Sequence, residues 1–225
     1  MPTAHDFPLP RRYNSLRLSG FDYSNTSSLF FISINTDSSR PVFGDFKLAK
    51  ATLSALLDDH TLSRIRVHAY TLLPDHFHLL AGVRDSSKRL SESLGYFKSY
   101  TTSRFWKRSH EVLAMDTHQL PQRAERTTRD PSTAELLSAL MDWRASLRPE
   151  VVQLKNWPNL QPQHFISKRL WHQRFHEHVI RNESDLRETI EYIAMNPVKR
   201  GYVQRPQYYP FTGFDMFELV QQPTA

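Results

Sequence analysis

The chain has 225 residues, a formal net charge of +6, 39% hydrophobic residues and no cysteine. This composition allows one large domain with a substantial core and excludes disulfides and thiolate zinc sites, while the positive charge favours a polyanionic partner. The sequence contains no run of 18 apolar residues and no secretory signal, so we expect a cytoplasmic protein without a membrane partner.

The first half of the chain predicts a β-α-β-β-α order. A polar N-terminal arm over residues 1–27 comes first. Alternating and helical apolar patterns then predict a strand over 29–35, a helix over 44–60, strands over 66–73 and 76–83 joined by a turn at Pro74 and Asp75, and a helix over 91–107.

The second half of the chain completes this order after an interruption. Residues 109–165 are interpreted as an insertion with one helix, for which Asp130 is a suitable N-cap. A short strand within 169–181 follows, and then a helix over 183–195 that is capped by Asn182 or Ser184 and ended by Asn196-Pro197. We therefore expect an α+β chain with a ferredoxin-like plait on an antiparallel sheet over 28–205, a helical insertion, and a C-terminal tail over 206–225.

The most informative feature is the pair His76 and His78, which lies in a strand-like apolar run. Side chains two residues apart on a strand point to the same face, so the two imidazoles are placed to share a divalent metal ion. Phe77 between them is then expected to face a core on the other side. A lone His-x-His pair is more often two ordinary histidines, and a second pair occurs within 176–178, so a third ligand is needed.

The predicted helix over 183–195 offers that ligand. Tyr192 and Asn196 are four residues apart and share a helix face. The Asn196 amide oxygen suits a hard divalent ion, and Tyr192 is expected to hold its hydroxyl about 5 Å, one helical turn, from that ion. Metal and phenol together suit attack on a phosphodiester, with the tyrosine as covalent nucleophile. A core-edge tyrosine and an Asn-Pro helix stop are the simpler interpretation, and the residues alone leave both open.

Basic and aromatic residues are interspersed in three parts of the sequence. Single-stranded nucleic acids require cations that follow the phosphates beside rings that stack on the bases. The candidate DNA-binding residues are Arg11, Arg12, Lys98, Arg104, Lys199 and Arg200. For Lys199 and Arg200, solvated surface charge is the alternative interpretation.

Three separated segments resemble the REP-associated tyrosine transposases, which are relatives of the single-tyrosine transposases of small bacterial insertion sequences within the HUH endonucleases. The segments are Leu72-Leu-Pro-Asp-His-Phe-His-Leu-Leu80, Leu170-Trp-His-Gln-Arg-Phe-His-Glu-His-Val-Ile-Arg181 and Tyr192-Ile-Ala-Met-Asn-Pro-Val-Lys-Arg-Gly201. The similarity extends from about residue 28 to 205. The chain departs from the family pattern at His172, which separates a Trp from a Gln, and in its longer insertion.

The resemblance implies a metal-dependent endonuclease and strand transferase that acts on single-stranded DNA, on the same ferredoxin-like plait. It implies Mg²⁺ or Mn²⁺ on His76, His78 and Asn196. It also implies that Tyr192 is the nucleophile, which forms a 5′-phosphotyrosine linkage and frees a 3′-OH. The expected DNA is a hairpin-forming repeat element, and the protein is expected to be a monomer or a homodimer.

The residues also allow several alternatives to this hypothesis. A catalytically inactive single-stranded nucleic-acid-binding protein on the same fold needs none of the four site residues, and two His plus one Asn make a poor zinc site. Tyr100 is a rival nucleophile, but Arg104 occupies the position where its metal-binding neighbour is needed. His178 either orients a ligand or packs in a strand, and Asp75 either accepts a hydrogen bond from a metal ligand or forms the turn.

Overall fold

Five antiparallel strands form one sheet in the computed structural model, which describes residues 18–114, 154–160, 162–165, 167 and 169–214. The strands are β1 (Phe30–Asn35), β2 (Ile65–Leu72), β3 (His76–Val83), β4 (His176–Val179) and β5 (Thr212–Phe214), in the spatial order β4-β1-β3-β2-β5. The helices are α1 (Phe46–Leu56), α2 (Asp59–Leu62), α3 (Leu90–Ala114) and α4 (Glu183–Lys199).

The first four strands confirm the predicted ferredoxin-like plait. In the order β4-β1-β3-β2 each strand is antiparallel to its neighbours. Helix α1 follows β1, and α3 follows β3 in the chain. This is the β-α-β-β-α-β arrangement of an α+β fold.

The two faces of the sheet are packed very differently. One face packs against α1 and α3 around a large apolar core that includes Phe30, Ile32, Ile34 and Phe77. The other face packs against α4, mainly where it crosses β2 and β3, through a small cluster of Leu29, Ala69, Leu80 and Ile193. The prediction that Phe77 faces a core is confirmed, and its two histidine neighbours point to the α4 face.

Side-chain caps determine where the helices begin. The Asp45 carboxylate accepts the backbone N–H groups of the first turn of α1, and Asn182 accepts the N–H of Asp185 at 2.9 Å at the start of α4. The single helix predicted over 44–60 is divided in two, because Asp58 caps the separate short helix α2.

Three boundaries differ from the sequence predictions. Helix α3 continues to Ala114, into the region assigned to the insertion. Helix α4 does not end at Asn196-Pro197, because a proline in the last turn gives up only one backbone hydrogen bond before the helix stops. The C-terminal tail contains β5, whose three residues are too few for a recognisable strand pattern and which pairs with β2. The helix predicted from Asp130 lies outside the described residues.

Parts of the predicted arm and insertion pack on the core. The Tyr23 ring stacks on Phe30 with centroids 5.9 Å apart. Trp157 donates its Nε1–H to the Gly44 carbonyl at 2.7 Å and stacks on Phe46. The described residues Tyr23 and Trp157 of these two segments therefore pack as part of the folded domain. Among the described residues, no helix is long and apolar enough to cross a membrane.

Candidate active site

His76 and His78 lie side by side on β3, on the face that α4 covers. Their ring centroids are 4.8 Å apart with the planes inclined at 76°. Only 7% and 4% of their surfaces are exposed. The prediction that the two imidazoles share one face of a strand is confirmed.

The Asp75 carboxylate orients His76. Its Oδ1 lies 2.6 Å from Nδ1 of His76, and the backbone N–H of Thr36 donates to the Asp75 carbonyl at 2.8 Å and holds the turn in place. Burial acts to raise the pKa of Asp75, but the hydrogen bond with His76 and the charges of His76 and Arg200 bring it below its usual value. The Asp75 carboxylate accepts the proton on Nδ1 of His76, so Nε2 is the ring nitrogen that faces no such partner and can be offered to a metal.

His78 is buried without a hydrogen bond. Neither ring nitrogen has a hydrogen-bond partner in the part of the chain that the structure describes, and the ring stacks on Phe31 with centroids 5.4 Å apart. Burial lowers the pKa of His78 well below 6.5, and the charges of His76 and Arg200 lower it further. His78 is therefore a neutral imidazole with an unsatisfied nitrogen, which is unfavourable in an apolar environment and suited to a metal ion.

Helix α4 brings Tyr192 against this pair. The Tyr192 ring meets His78 at a tilt of 66° with centroids 5.2 Å apart, and it also contacts Phe31 at 5.6 Å. Asn196, one turn further on, is 5% exposed. Burial raises the pKa of Tyr192, while a hydrogen bond with Asn196 and the charge of Arg200 oppose that rise. The structure thus links the four predicted site residues through neighbouring contacts, from His76 to His78, from His78 to Tyr192, and from Tyr192 to Asn196.

The donor set of this site fits a divalent cation only if Asn196 takes part. No group of three or more His, Asp and Glu side chains placed to hold a metal occurs among the described residues. Two imidazoles and one amide oxygen are a weak set for zinc but are compatible with an ion that keeps several water ligands. The unsatisfied nitrogens of His78 are the observation that favours a metal here.

Two predicted DNA-binding residues lie beside Tyr192. The Lys199 ammonium is 5.4 Å from the centroid of the Tyr192 ring. Arg200 is exposed, and its charge acts on the pKa values of Tyr192, His78 and Asp75. The C-terminal end of α4 therefore presents positive charge next to the phenol.

The other predicted DNA-binding residues lie elsewhere. Lys98 projects from α3, on the opposite face of the sheet, and donates to the carbonyls of His172 and Gln173 at 2.6 and 2.9 Å. Burial and the nearby charge of Arg169 lower the pKa of Lys98. Lys98 thus ties α3 to the segment before β4. Arg11 and Arg12 lie outside the described residues.

Tyr100, the rival nucleophile, is distant in the fold from the histidine pair. It lies on α3, where its hydroxyl accepts a hydrogen bond from Arg104 at 2.8 Å. Arg104 also contacts Asp58 at 3.4 Å. Burial raises the pKa of Tyr100. Arg104 and Tyr100 therefore stabilise each other on the helix layer that does not carry the site.

Sequence reasoning missed two contacts near the site. Phe31 touches both His78 and Tyr192, and the alternation along β1 was a signal that could have placed it on that face. His178, whose role the sequence left open, donates from Nε2 to both carboxylate oxygens of Asp185 at 2.9 and 2.8 Å. No local sequence pattern predicts the pairing of His178 with Asp185.

Two curated proteins share sequence with this chain. It is 47% identical over 47 residues to a REP-associated tyrosine transposase of Escherichia coli, which covers 21% of this chain and 28% of that protein. It is 25% identical over 146 residues to a putative REP-associated tyrosine transposase of Haemophilus influenzae, which covers 65% of this chain and 57% of that protein. The chain is therefore similar in sequence to proteins named REP-associated tyrosine transposases, the family that its three motifs resemble.

The similarity to these relatives is partial. The chain spans 28% and 57% of the lengths of the two curated proteins. No protein-family model matches it. A solved structure described as a REP-associated tyrosine transposase bound to a REP hairpin aligns with 89% of this chain and 84% of that chain, at 18% identity and a TM-score of 0.47.

Proposed function

We propose that this chain is a metal-dependent endonuclease and strand transferase that acts on single-stranded DNA through Tyr192. The observation that carries the proposal is the contact between the Tyr192 ring and His78, whose buried nitrogens have no hydrogen-bond partner within the described residues. A phenol beside two imidazoles suits phosphodiester cleavage by a covalent route. Similarity to proteins named REP-associated tyrosine transposases supports the same chemistry.

His76, His78 and Asn196 are the proposed ligands of Mg²⁺ or Mn²⁺. His76 offers Nε2, because Asp75 engages its Nδ1. The bound cation would polarise the scissile phosphate and offset the negative charge that develops on it. Asp75 then acts by fixing the ring of His76 in the orientation that metal binding needs.

Tyr192 is proposed to carry out the covalent step. Its Oη attacks the phosphorus, the bond from phosphorus to the 3′ oxygen breaks, and the 5′ phosphate remains on the tyrosine. The phenol gives its proton to solvent, and the released 3′ oxygen takes one up. Because burial raises the pKa of Tyr192, the resting phenol is protonated, and Asn196 and Arg200 favour its ionisation. Attack by the same or another 3′-OH on the phosphotyrosine reseals the DNA without an external energy source.

The proposed substrate is a hairpin-forming repeat element. The names of the two curated relatives associate them with REP elements. The net charge of +6 supports binding to a polyanion, and Lys199 and Arg200, at the end of α4 beside Tyr192, are the proposed contacts to phosphates next to the scissile one. A monomer or a homodimer stays the prediction for the oligomeric state.

A covalent-adduct experiment tests the proposal. The protein is incubated with Mn²⁺ and a single-stranded oligonucleotide that carries a hairpin found beside its gene, and adducts are resolved on a denaturing gel. The Tyr192→Phe variant should form no adduct and still shift the oligonucleotide in a native gel, whereas Tyr100→Phe should do both. An adduct of wild-type yield in Tyr192→Phe would contradict the assignment. Binding without any adduct in the wild type would instead favour an inactive DNA-binding protein.

A further inference from the structure

A histidine–aspartate pair joins the edge strand β4 to the first turn of α4. Nε2 of His178 lies 2.9 and 2.8 Å from the two carboxylate oxygens of Asp185, and the two side chains are 12% and 20% exposed. The same carboxylate accepts the backbone N–H of Arg181 at 3.1 Å. One side chain therefore connects the strand, the β4–α4 loop and the helix. A partly buried, charge-assisted contact of this kind is stronger than an exposed ion pair.

Asp185 lies on the same face of α4 as the proposed catalytic residues. The spacing of Asp185, Thr189, Tyr192 and Asn196 is four, three and four residues, which aligns them along one side of a helix. Thr189 is 8% exposed and Asn196 is 5% exposed, so this polar side faces the sheet. Any rotation of α4 about its axis that moves Asp185 also moves Tyr192 and Asn196.

The pair is also next to the site within the sheet. His178 is the cross-strand neighbour of Phe31, and Phe31 contacts both His78 and Tyr192. A shift of His178 therefore reaches, through one pair of neighbouring strands, the contacts of Phe31 with His78 and with Tyr192.

Apolar packing alone fixes α4 weakly. In the described part of the chain, the buried apolar side chains of α4 are Ile193, which packs with Leu29, Ala69 and Leu80, and Pro197, and its Val198 is partly buried against the large core. Leu186 and Ile190 are only partly buried. Few apolar contacts give a helix little resistance to rotation or sliding, so polar contacts have a larger share in fixing its position.

We propose that the His178–Asp185 pair positions α4 so that Tyr192 and Asn196 meet the histidine pair of β3. His178 is then a positioning residue for the reaction, which acts through Asp185 and the helix and does not touch the DNA or the metal. This inference rests on the proposed function for its kinetic consequence, although the placement of α4 can be measured without it.

The test compares two replacements of His178 that differ in reach. His178→Gln keeps an N–H donor near the position of Nε2, whereas the shorter His178→Asn does not reach Asp185. Arg187→Ala is the matched control, because it breaks the exposed Arg187–Glu183 pair on the same helix, in which the side chains are 78% and 68% exposed. All variants are compared well below their melting temperatures, so that only folded protein is measured.

Two measurements are made on each variant. In the metal-free His178→Asn variant, the rate of amide hydrogen exchange should increase at Tyr192–Asn196 as well as in the first turn of α4. The rate of adduct formation at saturating DNA should fall about 10- to 100-fold in His178→Asn, since a misplacement of about 1 Å costs that much, with DNA affinity unchanged. His178→Gln should recover most of the rate, and Arg187→Ala should match the wild type in both measurements.

Exchange at Tyr192–Asn196 that is unchanged in His178→Asn would overturn the inference, as would equal loss of rate in His178→Gln and His178→Asn. If the wild type forms no adduct, the proposed function fails, and the exchange measurement on the metal-free protein alone decides whether the pair positions the helix.

Discussion

Replacing His78 with leucine should stabilise the metal-free protein. The imidazole of His78 is 4% exposed, and its nitrogens have no hydrogen-bond partner among the described residues. Each of the two buried unsatisfied nitrogens costs about 1–3 kcal/mol, from which the loss of the contacts with Phe31 and with Tyr192 subtracts roughly 0.5–1.5 kcal/mol each. The next residue on the same face, Leu80, is fully buried, so leucine is compatible with this environment. The net gain in unfolding free energy is therefore at least about 1 kcal/mol, and each 1 kcal/mol raises Tm by roughly 2–4 °C for a chain of this size.

The same substitution should remove the response to metal. Mn²⁺ at 100 times its dissociation constant stabilises a folded protein by about 2.7 kcal/mol, so the wild type should gain that amount and overtake the variant. Urea unfolding in EDTA and in Mn²⁺ measures both effects on the same samples. His176→Leu is the control, because His176 is an exposed histidine on β4 and its loss should leave the Mn²⁺ response intact.

Two results would refute this reasoning. If His78→Leu is less stable than the wild type in EDTA by 2 kcal/mol or more, the imidazole makes a favourable contact in the metal-free protein, and its nitrogens are not unsatisfied groups that await a ligand. If Mn²⁺ stabilises His78→Leu as much as the wild type, His78 is not a ligand. The first result concerns the resting fold and the second concerns the metal, so the two can be separated.

Two further predictions concern stability away from the site. Burial, with the charges of Arg66 and Arg84, lowers the pKa of His68 from 6.5 to about 4. Because the unfolded chain binds more protons than the folded protein between these two pKa values, the unfolding free energy should fall by about 3 kcal/mol as the pH drops from 6.5 to 4. Urea titrations of the His68→Gln variant should lack this pH-dependent loss of stability. A Cβ at Gly213 would lie 2.6 Å from the Tyr70 ring, so Gly213→Ala should lower the midpoint of urea unfolding by an amount equivalent to about 1–3 kcal/mol, and an unchanged midpoint would show that Tyr70 moves aside at no cost.

The regular part of the fold could be predicted because its signals are local. The alternation in β1 and the apolar stripe of α1 reflect one buried face each, so their existence follows from the residues within them. β5 could not be predicted in the same way. Its residues Thr212–Phe214 show no alternation, and the strand forms because Gly213 fits against the Tyr70 ring and Thr212 bonds to Thr71 at 2.7 Å. Those partners are more than 140 positions away in sequence.

The candidate site could also be predicted only as far as local spacing specifies it. A spacing of two on a strand and of four on a helix placed His76 beside His78 and Tyr192 beside Asn196. That the two pairs meet depends on how α4 crosses the sheet, which no local pattern specifies. For Lys98 the local sequence suggests the wrong contact. Its basic and aromatic neighbours suggest DNA binding, whereas its partners in the structure are the carbonyls of His172 and Gln173, 74 and 75 residues away.

The position of the site follows from the unequal packing of the two faces of the sheet. In the described residues the cluster under α1 and α3 contains 26 buried apolar side chains, and the cluster under α4 contains four. Buried polar groups without partners cost free energy, so a fold can hold them only where another part of the molecule supplies the stability. Here the α1 and α3 layer supplies it, which leaves the α4 face able to hold His78, whose nitrogens have no hydrogen-bond partner among the described residues, in a position where leucine would pack better. The face that contributes least to folding is therefore the one on which the chemistry can be placed.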